Sequence, residues 1–309
     1  MARDLAAQLL GSPVSSAAEV ASSAEHQVFR ISRSGPAAYL KLAGPADLSR
    51  ELSVLHLLRE HGIPVAETEA ADPSGASTGV PCSLLREVPG EPTNGASAEF
   101  RAAAPVLRQI HEVRVSGCGY LAAGPEVLRG QSATWTDAMA DQVGDIDALA
   151  AAGVTDAEVL RRAAAVVRER AHVFTTGHNG RLVHGDFHPR HVYARGGRVT
   201  AIIDWGDASS GDPRYDLGRI LHSVAVTHGL PSGKAVLRRF LAGYGPAPWV
   251  GDEADLAEAA LVYATVFTLA AMHSELAGGS PWPPWWPAQT TALRAIVGEL
   301  DKAVSSTGG

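Results

Sequence analysis

The chain has 309 residues, 46% of them hydrophobic and 19% charged, with a formal net charge of −7. That length allows one large or two modest domains around a substantial core, and the acidic balance excludes a general nucleic-acid binder, which needs a basic face to displace counterions. Cys82 and Cys118 form no CxxC pair, which excludes a zinc knuckle and a dithiol redox motif and predicts two reduced thiols.

The N-terminal stretch, Met1 to Leu10, carries Arg3 and Asp4 and no long apolar run, unlike a signal peptide. Residues 3–10 read as a short helix. Strand-like segments follow at 28–31 and 38–42, with Ser34-Gly35-Pro36 as the turn. Leu48, Leu52, Leu55 and Leu58 recur at helical spacing, predicting a helix over 46–61 that Gly62 ends. Residues 80–88 read as a strand closed by Pro89-Gly90.

Beyond Pro92 the pattern is mainly helical, with helices predicted near 97–112, 132–151, 156–174, 213–228, 232–243, 253–277 and 288–305. Short strands interrupt it at 181–184, 191–194 and 198–203, the last two joined through Gly196-Gly197. The longest uncharged apolar stretch, Ala259 to Met272, is shorter than the roughly 18 residues a membrane span needs, so a buried helix and a cytoplasmic protein are expected. Pro281 to Pro287 is the one biased segment, and its Trp282, Trp285 and Trp286 either stack on a ligand or clamp a turn. The expected architecture is α+β: a small mixed β-sheet lobe over 1–88 and a larger, mainly helical lobe over 89–309.

Residues 182–219 carry the chemistry: LVHGDFHPRHVYARGGRVTAIIDWGDASSGDPRYDLGR. Asp186 follows one strand, and Asp204 closes the apolar strand Ala201-Ile202-Ile203. Two acids at neighbouring strand ends would share a cleft. That suits phosphoryl transfer, which needs positioning and charge neutralisation more than covalent help, and the order of loop acid, hairpin and second acid is that of a kinase. The cluster His184, Asp186, His188, His191 and Asp204 also offers ligands for a Zn²⁺- or Mn²⁺-dependent hydrolase. A nucleotide-binding pseudokinase is the third reading.

The segment closely resembles the aminoglycoside phosphotransferase family of antibiotic and metabolite kinases. The family pattern HGDxHPxN, then IDWxDxxxGDPxxDLA, is matched by His184, Gly185, Asp186, His188, Pro189, Asp204, Trp205, Asp207, Gly211, Asp212, Pro213, Asp216 and Leu217. The resemblance implies a protein-kinase-like two-lobe fold and Mg²⁺-dependent transfer from ATP or GTP to a small hydroxylated compound. It makes Asp186 the catalytic acid/base and Asp204 the metal ligand, with Asp212 and Asp216 tying the next helix to the catalytic loop. His191 stands where the family usually has Asn. It either ligates or contacts the metal, holds the loop, or marks an inactive relative; macrolide phosphotransferases and some aminoglycoside 2″-phosphotransferases tolerate His here.

By the same resemblance, Lys41 contacts the nucleotide phosphates, Glu51 pairs with it (Glu60 in its absence), and the linker through Arg86 and Val88 holds the base. Ser22 to Gln27, with no glycine, covers the phosphates, and His111 is structural. Asp137, Asp141 and Asp145, four apart in the helix predicted over 132–151, line one face that is either an ordinary solvated surface or an acidic stripe for a cationic acceptor, with Glu275 as a further acidic candidate. The acceptor classes are an aminoglycoside or macrolide antibiotic, or a metabolite such as choline, homoserine or a sugar amine. No nucleic acid or membrane partner is expected, and the chain is expected to be a monomer or weak dimer.

Overall fold

The structure, a computed structural model, describes residues 1–22, 26–123, 128–175, 177–278 and 286–307. The N-terminal part contains α1 (Ala2–Leu10), β1 (Ser16–Ser22), β2 (His26–Ser32), β3 (Ala38–Ala43), α2 (Pro45–Glu60), β4 (Thr68–Asp72) and β5 (Cys82–Arg86). Its five strands form one antiparallel sheet in the order β1-β2-β3-β5-β4. β3 alternates as a half-buried strand must: Ala38, Leu40 and Leu42 are buried, while Tyr39 and Lys41 face the other way. The buried side packs with Leu5, Ile31, Cys82 and Leu84 into a small core under α1. Pro45 starts α2, where its missing N–H costs nothing.

Two of these strands carry no sequence signal. β1 is exposed at almost every position, and its Ser, Ala and Glu residues give no alternation; β4 closes the opposite edge of the sheet. The strand predicted over 80–88 contracts to β5, because Pro81 has no N–H for the ladder.

The larger part follows: β6 (Glu91–Pro92), α3 (Ala98–Ala102), α4 (Ala104–Glu112), β7 (Cys118–Ala123), β8 (Leu128–Ser132), α5 (Trp135–Val143), α6 (Ile146–Ala151), α7 (Ala157–Glu169), β9 (Arg181–Val183), β10 (Val192–Arg195), β11 (Arg198–Ile202), β12 (Ser209–Gly211), α8 (Arg214–His228), α9 (Leu230–Tyr244), α10 (Glu253–Ala277) and α11 (Trp286–Thr307). Two small sheets, β11-β10-β6 and β8-β7-β12-β9, sit among these helices. The predicted helix over 97–112 breaks into α3 and α4 beside Pro105. The predicted helix over 132–151 is three elements. β8 ends at Ser132, α5 stops at Gly144 with φ 64°, and Asp145 starts α6 by accepting from the Asp147 and Ala148 N–H groups.

α8 and α10 run through the main core with Leu217, Ile220, Tyr263 and Val266. α10 is long and apolar enough to cross a membrane, but 72% of its apolar window is buried inside the protein. Its composition is that of a core helix.

Candidate active site

The loop after β9 is held from below by one carboxylate. Asp216, fully buried in the first turn of α8, accepts the backbone N–H groups of His184 (2.8 Å) and Gly185 (2.9 Å) and faces His111 Nε2 at 3.0 Å. His111 Nδ1 meets the Tyr244 hydroxyl at 2.6 Å, and Trp249 donates to the same oxygen at 2.7 Å. His111 is thus structural, as expected, and Asp216 does tie α8 to the loop. Asp212 does not. Its carboxylate is taken by Arg214, the first residue of α8 (2.9 Å), and by the Tyr263 hydroxyl of α10 (3.0 Å). Gly185 has φ 84°, and a Cβ there would lie 2.1 Å from the Asp207 carbonyl, so only glycine fits.

Three histidines follow, and their hydrogen bonds assign their tautomers. His184 accepts from the Asp186 N–H at Nδ1 (3.1 Å) and donates from Nε2 to the Ile203 carbonyl (2.9 Å), joining the loop to the end of β11. Burial lowers its pKa and keeps it neutral. His188 Nδ1 accepts from the Arg190 N–H (3.2 Å), and burial with the neighbouring His191 pushes its pKa down to about 3. Its Nε2 therefore carries the hydrogen. His191 Nδ1 lies 3.0 Å from the Asp186 carbonyl, which can only accept, so that nitrogen donates.

Asp186 sits among these donors. Its Oδ2 is 3.5 Å from His191 Nδ1 and 3.7 Å from His188 Nε2, and its Oδ1 accepts from Arg219 Nε at 2.5 Å. Burial alone would raise its pKa; Arg219 and the histidines outweigh burial and hold it well below the usual carboxylate range. Asp186, His188 and His191 have the types and proximity of a metal trio, but two of the three face the carboxylate with N–H groups. That removes the main support for a hydrolase cage. Arg219 went unrecognised in the sequence. It is held by His222 Nδ1 (2.6 Å), which passes the contact through Nε2 to Gln289 of α11 (2.9 Å).

Across the cleft, Lys41 Nζ lies 2.9 Å from Glu51 Oε2 and 3.5 Å from Asp204 Oδ1. Desolvation opposes its charge, but Glu51 and Asp204 outweigh it and raise the Lys41 pKa. Glu60, the fallback partner, is at the far end of α2 and lies beside His56. Asp204 has φ 63°, the one positive φ outside glycine among the described residues. Burial raises its pKa, and Lys41 and His191 more than reverse that. Arg50 of α2, also unforeseen, donates to the Gly206 carbonyl at 3.0 Å and ties the helix to this turn.

Lys41, Glu51, Arg86, Val88, His188, His191 and Asp204 line one cavity of about 930 Å³; Asp186 is not among its lining residues and sits behind His188 and His191. The Arg86 guanidinium itself pairs with Glu67 (2.5 Å) and Glu69 (3.0 Å). Asp204 Oδ2 and His191 Nε2 face each other at 3.7 Å. Metal–ligand bonds of about 2.1 Å would let one ion bridge that gap, so the donors present fit a divalent cation.

The acidic stripe is found only in part. Asp137 is exposed and caps α5 through Thr134, and Asp145 caps α6. Asp141, one turn on from Asp137 in α5, lies on the wall of a second cavity of about 240 Å³, with Tyr120, Trp135, Ser209, Tyr215 and His273; only Asp145, beyond the Gly144 break, leaves the stripe. Glu275 is half-buried near the end of α10 and is not among the lining residues. Ser22 ends β1, and His26 and Gln27 belong to β2; residues 23–25 of the expected phosphate loop lie outside the described residues, as do Trp282 and Trp285. Trp286 is buried and donates to the Val154 carbonyl at 2.8 Å, a clamp.

Residues 16–262 match the model of the phosphotransferase enzyme family, APH. The chain belongs to that family. A curated relative, hygromycin-B 4-O-kinase from Escherichia coli, is 46% identical over 39 residues, 13% of this chain and 11% of the relative's length. A thermostable mutant of aminoglycoside phosphotransferase APH(4)-Ia superposes with a TM-score of 0.74 at 20% identity over 99% of both chains. Choline kinase LicA from Streptococcus pneumoniae gives 0.64 at 15% identity over 93% of this chain and 94% of that one. At such identities the likenesses carry the protein-kinase-like fold.

Proposed function

We propose that this family member moves the γ-phosphate of ATP or GTP to a hydroxyl of a small molecule, with an aminoglycoside-type antibiotic as the leading acceptor. The observation that carries this is Lys41 bridging Glu51 and Asp204 on one wall of the cleft, with the Asp186 carboxylate on the loop that faces it. Lys41 would meet the phosphates, and the chain around Val88 would hold the base, with Arg86 contributing backbone. Asp204 and His191 would hold the divalent cation, Mg²⁺ in the simplest case, which supplies charge neutralisation on the phosphates. Asp186 accepts a hydrogen bond from the acceptor hydroxyl and aims it. Its depressed basicity makes it an orienting group, and Arg219 fixes its plane.

The boundary at 88/89 would then separate a nucleotide-binding lobe from a catalytic, acceptor-binding lobe. A cytoplasmic location would give access to triphosphates. The local identity to hygromycin-B 4-O-kinase, and the fold shared with APH(4)-Ia, whose ternary complex holds ADP and hygromycin B, support the aminoglycoside class. The likeness to choline kinase supports a metabolic acceptor as the second reading. Expression in a sensitive bacterium, with resistance measured across aminoglycosides and macrolides, tests the first. Nucleotide-dependent phosphorylation of choline, homoserine or a sugar amine without any resistance would favour the second.

A further inference from the structure

The segment after β5 brings to the main cavity a carboxylate that neither the phosphates nor the cation would use. β3 and β5 pair Tyr39 with Leu85 and Lys41 with Ser83, which puts Tyr39, Lys41 and Leu85 on one face of the sheet. Glu87, two residues past Leu85, continues that face, while Arg86 turns away to Glu67 and Glu69. Tyr39, Leu85 and Glu87 accordingly line the cavity, together with Tyr193 of β10 from the larger part of the chain.

The Glu87 carboxylate is held at one end. Its Oε1 accepts from Arg30 Nε at 2.8 Å and from the Tyr39 hydroxyl at 3.3 Å, and its Oε2 accepts from Arg30 Nη2 at 3.3 Å. Arg30 is not a lining residue. It keeps the Glu87 pKa below the usual carboxylate range, so the group is charged at neutral pH. Burial raises the Tyr193 pKa, and Glu91 and Glu87 raise it further. The charge of one carboxylate therefore reaches tyrosines on both walls. The Glu87 side chain is 34% exposed, and each carboxylate oxygen has two lone pairs, so Oε2 has room for one more donor. The next backbone N–H, that of Val88, makes no hydrogen bond among the described residues.

A flat base entering beside Val88 meets that charge with its edge. An ionised carboxylate can only accept. The amino group of adenine is flanked by lone pairs on N1 and N7, which an anion opposes. The 2-amino group of guanine has the N1–H donor beside it, which an anion favours. We propose that Glu87 reads the purine 2-amino group, so that this phosphotransferase draws its phosphate from GTP in preference to ATP. The proposal rests on the phosphotransferase reading of the cavity and deepens it by naming the donor. Arg30 and the Tyr39 hydroxyl are positioning groups that aim the carboxylate.

Two pairs of non-hydrolysable triphosphates isolate the 2-amino group: guanosine against inosine, and 2,6-diaminopurine riboside against adenosine. Calorimetric titration of their Mg²⁺ complexes into the wild type and Glu87→Ala reads the affinity ratio within each pair, with circular dichroism checking the fold. The wild type should bind the amino-bearing member of each pair about 10-fold more tightly, the scale of one well-made base contact. Glu87→Ala should bring both ratios close to unity. A wild-type ratio near unity in either pair overturns the proposal and leaves the phosphotransferase reading intact. So does a variant that weakens all the nucleotides equally, as loss of a ribose contact or of a purely structural ion pair with Arg30 would. The wild-type arm stands even if the variant misfolds. If none of the triphosphates binds, the phosphotransferase reading fails, and this proposal with it.

Discussion

The two walls of the main cleft hold charge in different ways. On the sheet side, Lys41 is a half-buried cation matched by two carboxylates, Glu51 and Asp204. On the loop side, Asp186 is a carboxylate surrounded by N–H donors from Arg219, His188 and His191. The sheet wall holds one ammonium whose N–H groups could turn to an anion once a cation takes over Asp204. The loop wall offers an oxygen that can accept a hydrogen bond but binds a proton poorly. Under the proposed reading, such a site would work by positioning its reactants and stabilising charge.

Substitutions can break that contrast. The largest effect is expected for Asp186→Ala, a fall in turnover of about 10³-fold or more with nucleotide binding kept; steady-state kinetics beside calorimetric nucleotide titration measure both, and normal turnover would remove the role given to the loop wall. Lys41→Ala should cost about 10²-fold in kcat with weaker nucleotide binding, a combined loss that the loop-side variant does not show. Arg219→Ala should lower kcat on the order of 10-fold, through a misplaced Asp186, without changing the KM for nucleotide. An equal rise in nucleotide KM would mean that Arg219 serves the phosphates instead.

Smaller effects sharpen the contrast. Asp141→Asn should change acceptor KM by less than about threefold, as exposed sites usually do; a larger shift would show that the second cavity selects its ligand by charge. His222 gives a pH test. Burial and Arg219 push its pKa down to about 3, whereas an unfolded histidine titrates near ~6.5. The unfolded chain therefore binds a proton that the folded chain refuses, and stability is lost as pH falls from the unfolded value towards the folded one. Thermal melts of His222→Asn should show a shallower decline over that window, provided Arg219 and Gln289 stay in place.

The acids of the loop were legible because each lies in a short stretch whose order alone announces it. Lys41 was legible from the alternation of Leu40 and Leu42 around it. Arg219 was not: its partner is 33 residues away, and an arginine on a helix looks like any surface residue until the fold turns it inward. The acidic stripe misled for a local reason. Asp137 and Asp145 recur at helical spacing, yet each satisfies orphan N–H groups at a helix start, so a pattern of caps mimicked a binding face. β7, β8 and β12 escaped notice because Gly and Ser interrupt them and β12 has only three residues.

The left-handed backbone at Asp204 sets a constraint on evolutionary drift. Glycine and asparagine occupy that conformation at little steric cost, and both are neutral. The replacements that relieve the turn most readily also delete the charge that would hold the cation. Selection for thermal tolerance alone would therefore favour well-folded, inert descendants, and only continued demand for turnover keeps the strained acid in place.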